Sequence, residues 1–128
     1  MRHSTTTPTK LQQARLDALH AMPCIVCTKE AEFASKRGEL RLGQPGKTEI
    51  HHLVDKGYRI HSGGHDATLN LCRWHHRGIC IEYVTAREMK ELHGPSLALH
   101  KREFVALYGS ERQLLAEVDE QLSKGIAA

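Results

Sequence analysis

Aromatic side chains make up only 5% of the 128 residues: one Trp, three Tyr and two Phe. A core must therefore be assembled mainly from Leu, Ile, Val and Ala. Long apolar runs are missing too, and nothing approaches the ~20 residues that a membrane span requires. The opening Met1-Arg-His-Ser-Thr-Thr-Thr-Pro8 is polar and lacks the apolar centre of a signal peptide. These absences lead to the expectation of a soluble, cytoplasmic protein without a membrane partner. The chain has the length of one compact domain, and no internal repeat is visible.

Charge of one sign does not dominate either. Eighteen Lys and Arg oppose fifteen Asp and Glu, a net charge of +3. Residues 111–128 hold two bases and four acids, so residues 1–110 carry sixteen against eleven, or +5. That excess permits a polyanionic partner without demanding one. What is abundant is histidine: ten in all, six of them from His51 to His76. Clustered His and Cys in a chain with a thin core point to a metal that contributes to folding.

Residues 1–8 read as a disordered tail and 9–128 as a single domain. A helix is expected from Thr9, with Leu11, Leu16 and Leu19 in a stripe that Pro23 ends. Cys24-Ile-Val-Cys27 forms a knuckle. Residues 28–47 are polar and rich in Gly and Pro, and read as a long loop. Thr48–Val54 is a strand and Ala67–Cys72 a second one, separated by a Gly-rich charged loop. A helix opens near Arg73, completing a core over residues 48–82. The part from 83 to 123 is helical: Thr85–Leu92, a helix capped by Ser96 and closed after Tyr108 by Gly109, and a last helix opened by the capping box Ser110-Glu-Arg-Gln113. The fold class is α+β, a small zinc-stabilised strand–strand–helix core flanked by N-terminal and C-terminal helices.

Cys24-x-x-Cys27 can present two thiolates to a tetrahedral Zn²⁺, with Cys72-x-x-His75 supplying the other two ligands. Cys80 is an alternative to His75, although it lies about two helical turns beyond Cys72. A redox Cys-x-x-Cys lacks the usual βαβ setting, and a disulfide framework conflicts with the missing signal peptide. Structural zinc is the preferred reading.

Histidines on the first strand (His51-His52) and on the following helix (His75-His76) match a ββα-metal layout, which holds one divalent cation in a cleft that fits a phosphodiester. Adjacent helix residues point about 100° apart, so His75 can face the zinc while His76 faces the cleft. Adjacent strand residues face opposite sides, so His51 and His52 share a cleft only where the strand end twists or bulges. A histidine can serve as base for the attacking water, and a cation can neutralise the developing phosphorane. The plainer alternatives are an extension of the zinc site or a solvated strand end.

Cys24-x-x-Cys27, Ile50-His-His-Leu53 and Leu71-Cys-x-x-His-His76 resemble the HNH (ββα-metal) endonuclease superfamily. Glu49-Ile-His-His-Leu, Gly64-His-Asp-Ala-Thr and Leu71-Cys-Arg-Trp-His-His-Arg-Gly78 are similar to the Ref family, phage-encoded recombination-enhancement nucleases that act with bacterial RecA. So are Ser96-Leu-Ala-Leu-His and Phe104-x-x-x-Tyr-Gly-Ser-Glu111. The similarity runs from about Met22 to about Leu122. It implies that His51 and His76 ligate a catalytic divalent ion and that His52 is the general base. The superfamily's Asn position holds Ala67, and Asn70 falls in another register, so His65 or Asp66 takes the third role, as ligand or as orienter of His52.

The resemblance further implies a metal-dependent DNA endonuclease, stimulated by RecA filaments on single-stranded DNA and working as a monomer in the host bacterial cytoplasm or nucleoid. Arg77, Arg73, Lys56 and Arg59, with Lys101 and Arg102, are candidate phosphate contacts. The catalytic ion would be Mg²⁺ or Mn²⁺, which Zn²⁺ could replace in a crystal; His-rich ligation suits transition ions better than Mg²⁺. The competing readings are a zinc-stabilised adaptor for DNA or RecA with a decayed centre, and a redox or metal-handling protein.

Overall fold

The computed structural model describes residues 6–41 and 43–127. The expected disordered tail falls outside it for residues 1–5, and residues 6–8 have no regular secondary structure. Helix α1 (Lys10–Ala21) opens with a capping box. The Thr9 hydroxyl accepts from Gln12 N–H at 3.1 Å, and the Gln12 side chain accepts from Thr9 N–H at 3.0 Å. Of the leucines expected along its buried stripe, Leu19 is fully buried whereas Leu11 is 85% exposed.

The segment expected to be a long loop instead starts with helix α2 (Ile25–Lys36). Polar composition concealed it. Val26, Glu30 and Ala34, four residues apart, form its buried face, and only two of the three are apolar. Glu30 can be buried because Tyr108 Oη–H donates to one carboxylate oxygen at 2.6 Å and the Arg41 guanidinium pairs with the other. The knuckle is the start of this helix: Cys24 is its N-cap, and its sulfur accepts from Cys27 N–H.

Strands β1 (Thr48–His52) and β2 (Thr68–Cys72) pair antiparallel, from Thr48 opposite Cys72 to His52 opposite Thr68. The connecting loop carries a single helical turn, α3 (Arg59–Ser62), and a 3₁₀ turn over Gly64–Asp66. Helix α4 (Arg73–Arg77) follows β2 without a break. It stops at Gly78, where φ is +70° and a Cβ would lie 2.6 Å from the Leu99 side chain. Both demands are met only by glycine.

Helices α5 (Ala86–His93), α6 (Lys101–Tyr108) and α7 (Glu111–Ala127) complete the chain. The helix expected from Ser96 begins later: Ser96 Oγ caps a turn by accepting from Leu99 N–H, and its N–H donates to His100 Nδ1. The Ser110–Gln113 box opens α7 as the sequence predicts, each side chain accepting from the other residue's N–H. Helices α1 and α7 pack on the strands, and α2 on β2. Leu19, Val26, Leu53, Leu69, Leu71, Trp74, Met89, Phe104, Leu114 and Val118 are wholly buried. Among the described residues no helix is long and apolar enough to cross a membrane.

Candidate active site and metal centre

Cys24 and Cys27 at the start of α2 meet Cys72 and His75 at the β2–α4 junction. Their ligand atoms all lie within 4.8 Å of one another. Cys27 and Cys72 Sγ are 3.8 Å apart, and His75 Nδ1 is 3.7, 3.5 and 3.2 Å from the sulfurs of Cys24, Cys27 and Cys72. Sulfurs at two corners of a tetrahedron with ~2.3 Å zinc–sulfur bonds stand about 3.8 Å apart, so the donors fit a tetrahedral ion such as Zn²⁺. His75 Nε2–H donates to the His93 carbonyl at 2.7 Å, which leaves the Nδ1 lone pair facing the sulfurs. Cys80 lies outside this group.

The electrostatics agree with the donor set. Hydrogen bonds with Cys24 and Cys27 hold Cys72 far down, as a thiolate, whereas those with Cys24 and Cys72 push Cys27 up. Burial opposes charge on His75, yet hydrogen bonds with Cys24 and Cys72 lift it to about 10, so a metal entering the group would take the place of the proton on Nδ1. Three crowded sulfurs call for positive charge at their centre, which a metal supplies.

A second group forms where β1 ends beside α4. The His51 and His76 rings are 5.0 Å apart, edge to face. His51 Nε2–H donates to Glu111 Oε1 at 2.5 Å, and His76 Nδ1–H donates to Glu49 Oε1 at 3.0 Å. Each ring is therefore oriented by a carboxylate, with its other nitrogen, Nδ1 of His51 and Nε2 of His76, left as an acceptor. Histidines that ligate metals are oriented in this way, although the ligand atoms that gather as a metal-sized group among the described residues are those of Cys24, Cys27, Cys72 and His75. Burial and the nearby His51 lower the His76 pKa, keeping it neutral and able to ligate. An open pocket of about 390 Å³ borders both rings, and Arg77, Lys101 and Glu111 also line it.

His52 takes the other side of the ribbon. Strand pairing is unbroken through His52 and Thr68, and Leu53 N–H donates to Ala67 O, so no bulge turns the two strand histidines to one face. His52 meets His65, which is 8% exposed, at 3.0 Å. His65 Nε2–H donates to the Thr6 carbonyl at 2.5 Å, so a neutral His65 offers Nδ1 as acceptor for His52 Nε2–H. The lone pair of His52 is then at Nδ1. Burial first, then the charges of Arg59, His65, His51 and His76, lower its pKa to about 4.

Asp66 points elsewhere: its carboxylate accepts from Gln12 Nε2 of α1 at 3.0 Å. Asn70 is fully buried and donates to the Pro23 carbonyl at 2.7 Å, remote in role from the histidines. One guanidinium edge of Arg77, Nε–H and Nη2–H, donates to both oxygens of the Glu49 carboxylate. Arg73 is half-buried against Gly46, whereas Lys56 and Arg59 are exposed. Glu49 and Glu111 are the residues that reading for motifs left without a role. Nothing local distinguishes Glu111, which sits inside an ordinary capping box; only the packing of α7 on the sheet, against β2, brings it to His51.

A family model described as recombination enhancement, RecA-dependent nuclease matches residues 8–123.

Proposed function

The chain belongs to the recombination-enhancement, RecA-dependent nuclease family, and on that premise we propose that it is a metal-dependent endonuclease of the ββα-metal (HNH) type, hydrolysing DNA phosphodiesters under the direction of RecA filaments on single-stranded DNA. Residues 9–128 act as one nuclease domain, in the bacterial cytoplasm where such filaments form. The observation that carries this reading is the His51–His76 pair, each ring turned by its own carboxylate so that one nitrogen remains free to ligate.

A divalent cation held by His51 Nδ1 and His76 Nε2 would neutralise the charge that builds on the phosphate and its leaving oxygen. Nitrogen donors favour Mn²⁺ over Mg²⁺ for this role. His52, on the other face of the ribbon from the His51–His76 pair, is the base that the family resemblance implies. Its lone pair is at Nδ1, and His65 fixes its tautomer and ring plane. The end of β1 has to turn toward the cation's face for His52 to take the proton of the attacking water. With a pKa lowered to about 4, His52 is unprotonated at neutral pH in the free protein. An incoming phosphodiester brings negative charge, which favours the protonated form and strengthens the base at the moment it is needed. Lys56, Arg59 and Lys101 would contact the phosphates, and Arg77 would do so in competition with Glu49.

An adaptor without activity is the second reading. It is favoured by one observation, that Asn70 faces Pro23 and supplies nothing to the histidines. The test is cleavage of circular single-stranded DNA, and of duplex paired by RecA with a homologous strand, with and without RecA and ATP, in Mg²⁺ and in Mn²⁺. Cleavage by the wild type that requires RecA and is lost in His52→Ala, with zinc content and melting unchanged, is the expected outcome. No cleavage by folded, zinc-loaded wild type in any condition would overturn the enzyme and leave the adaptor.

A further inference from the structure

The loop that leaves β1 combines exposed apolar side chains with cations over a short stretch of chain. Every residue from Val54 to His61 is exposed, including three large apolar side chains: Val54 at 46%, Tyr58 at 44% and Ile60 at 62%. Two cations, Lys56 and Arg59, alternate with them, and the Tyr58 and His61 rings stand 5.6 Å apart at 45°. Apolar groups are normally withdrawn from such a loop.

Its base is nevertheless tied down. Arg112, one residue beyond Glu111, grips both Asp55 carboxylate oxygens at 3.0 and 2.6 Å, and also donates to the Ser62 carbonyl at 3.1 Å. Lys56 N–H donates to Ser62 Oγ at 3.0 Å, closing the loop across its neck. The start of α7 thus anchors both ends of the loop while its tip points outward.

The loop is also next to the proposed chemistry. Lys56 is four residues past His52, at most ~14 Å along an extended chain. Arg112, which grips the loop's base, directly follows Glu111, the carboxylate that holds the His51 ring.

We propose that the Lys56–His61 loop is a docking platform for an unpaired nucleobase and its flanking phosphates, seating single-stranded DNA beside His52. Tyr58 and Ile60 offer the apolar faces on which a base stacks, and Lys56 and Arg59 offer the cations that its phosphates require. A paired base exposes only its edges in the grooves, so such a platform selects an unpaired strand over a duplex. This assignment rests on the nuclease reading above and names the state of the DNA which that site takes.

The test is fluorescence anisotropy with a labelled oligo-dT and with a duplex of equal length, using the zinc-loaded full chain without added Mg²⁺ or Mn²⁺. Tyr58→Ala should weaken single-strand binding at least about fivefold and duplex binding by less than twofold, whereas Tyr58→Phe retains single-strand binding. Arg59→Gln should reduce the slope of log affinity against log salt by about 0.7 on single strands. Unchanged melting temperatures show that these exposed positions leave the fold intact.

Single-strand binding by Tyr58→Ala equal to that of the wild type overturns the platform. A loss confined to RecA-filament pull-down, with naked single-strand binding unchanged, overturns it also and gives the loop to the protein partner. The two proposals fail separately. Tyr58-dependent binding without any cleavage sinks the nuclease and keeps the platform, and cleavage that ignores Tyr58 does the reverse.

Discussion

At the scale of single residues, the site depends on which nitrogen of each histidine carries its proton. Glu111 accepts from His51 Nε2 and Glu49 accepts from His76 Nδ1, so carboxylates from α7 and from β1 itself set which nitrogen of each ring is left as an acceptor. Glu49 is further held by Arg77, whereas Glu111 is buried at 8% exposure with no cation on its carboxylate among the described residues. Glu111→Ala should therefore release the His51 ring more completely than any change at Arg77 releases His76. Removing such an orienting carboxylate typically lowers metal affinity 10–100-fold. Titration of zinc-loaded protein with Mn²⁺, followed by electron paramagnetic resonance, should show that loss in Glu111→Ala, with the zinc content and melting temperature near those of the wild type. Mn²⁺ affinity equal to that of the wild type would remove Glu111 from the site, whatever happened to cleavage.

At the scale of elements, α2 is the informative case because it carries two metal ligands and was hidden from pattern reading. Its middle turn is held by a charge: Glu30 is 5% exposed and bound by Tyr108 and Arg41. Arg41 also donates to the Leu92 carbonyl at 2.5 Å, so one carboxylate joins α2 to α5 and α6. Tyr108 is pushed far up by burial and by its bond to Glu30, so it stays a neutral donor throughout the useful pH range. Glu30→Ala would leave a buried hydroxyl without an acceptor and a half-buried guanidinium without its counter-charge, and should cost about 3 kcal/mol. Glu30→Gln keeps an acceptor for Tyr108 and should cost less. Urea unfolding of both variants checks the order, and equal midpoints would mean that the network contributes nothing to holding α2.

The same residues explain what could be read in advance. Cys24-x-x-Cys27 with Cys72-x-x-His75 was legible because ligand chemistry fixes spacing, and β1, β2 and the start of α4 were legible because β-branched and apolar residues flank a Gly-rich loop and lead into that spacing. Helix α2 was not, since Glu30 looks like a surface residue until Tyr108, 78 positions away, is placed beside it. Glu111, 60 positions from His51, was hidden for the same reason. Opposite faces for His51 and His52 followed from strand geometry, whereas the hydrogen-bonded partners that hold each ring depended on tertiary packing.

For the whole molecule, the question is what holds so small a core together. Trp74 and Phe104 are the only aromatic residues that are completely buried among the described ones, and the rest of the centre is aliphatic. The sulfur–imidazole group joins the α2 start to the β2–α4 junction across 45 to 51 residues of chain, and His75 passes the link to α5 through the His93 carbonyl. His76 is the next residue after His75, so the same junction that closes the Cys₃His group also aims His76 at the proposed catalytic cation. Structural zinc in small domains contributes an apparent ~10–16 kcal/mol, as much as the ~5–15 kcal/mol that a whole domain has in hand. Stripping the zinc should therefore abolish the fold rather than loosen one corner, and with it the His51–His76 pairing. Chelation at neutral pH, followed in parallel by circular dichroism and by a colorimetric zinc indicator, should show metal release and loss of helix as one transition. Cys27→Ser should be largely unfolded as isolated, whereas Cys80→Ala should keep both zinc and fold, because Cys80 is not part of the group. A chain that keeps its helical signal and a cooperative melt after losing zinc would show that the apolar core suffices alone, and that the metal's task is only to aim α4.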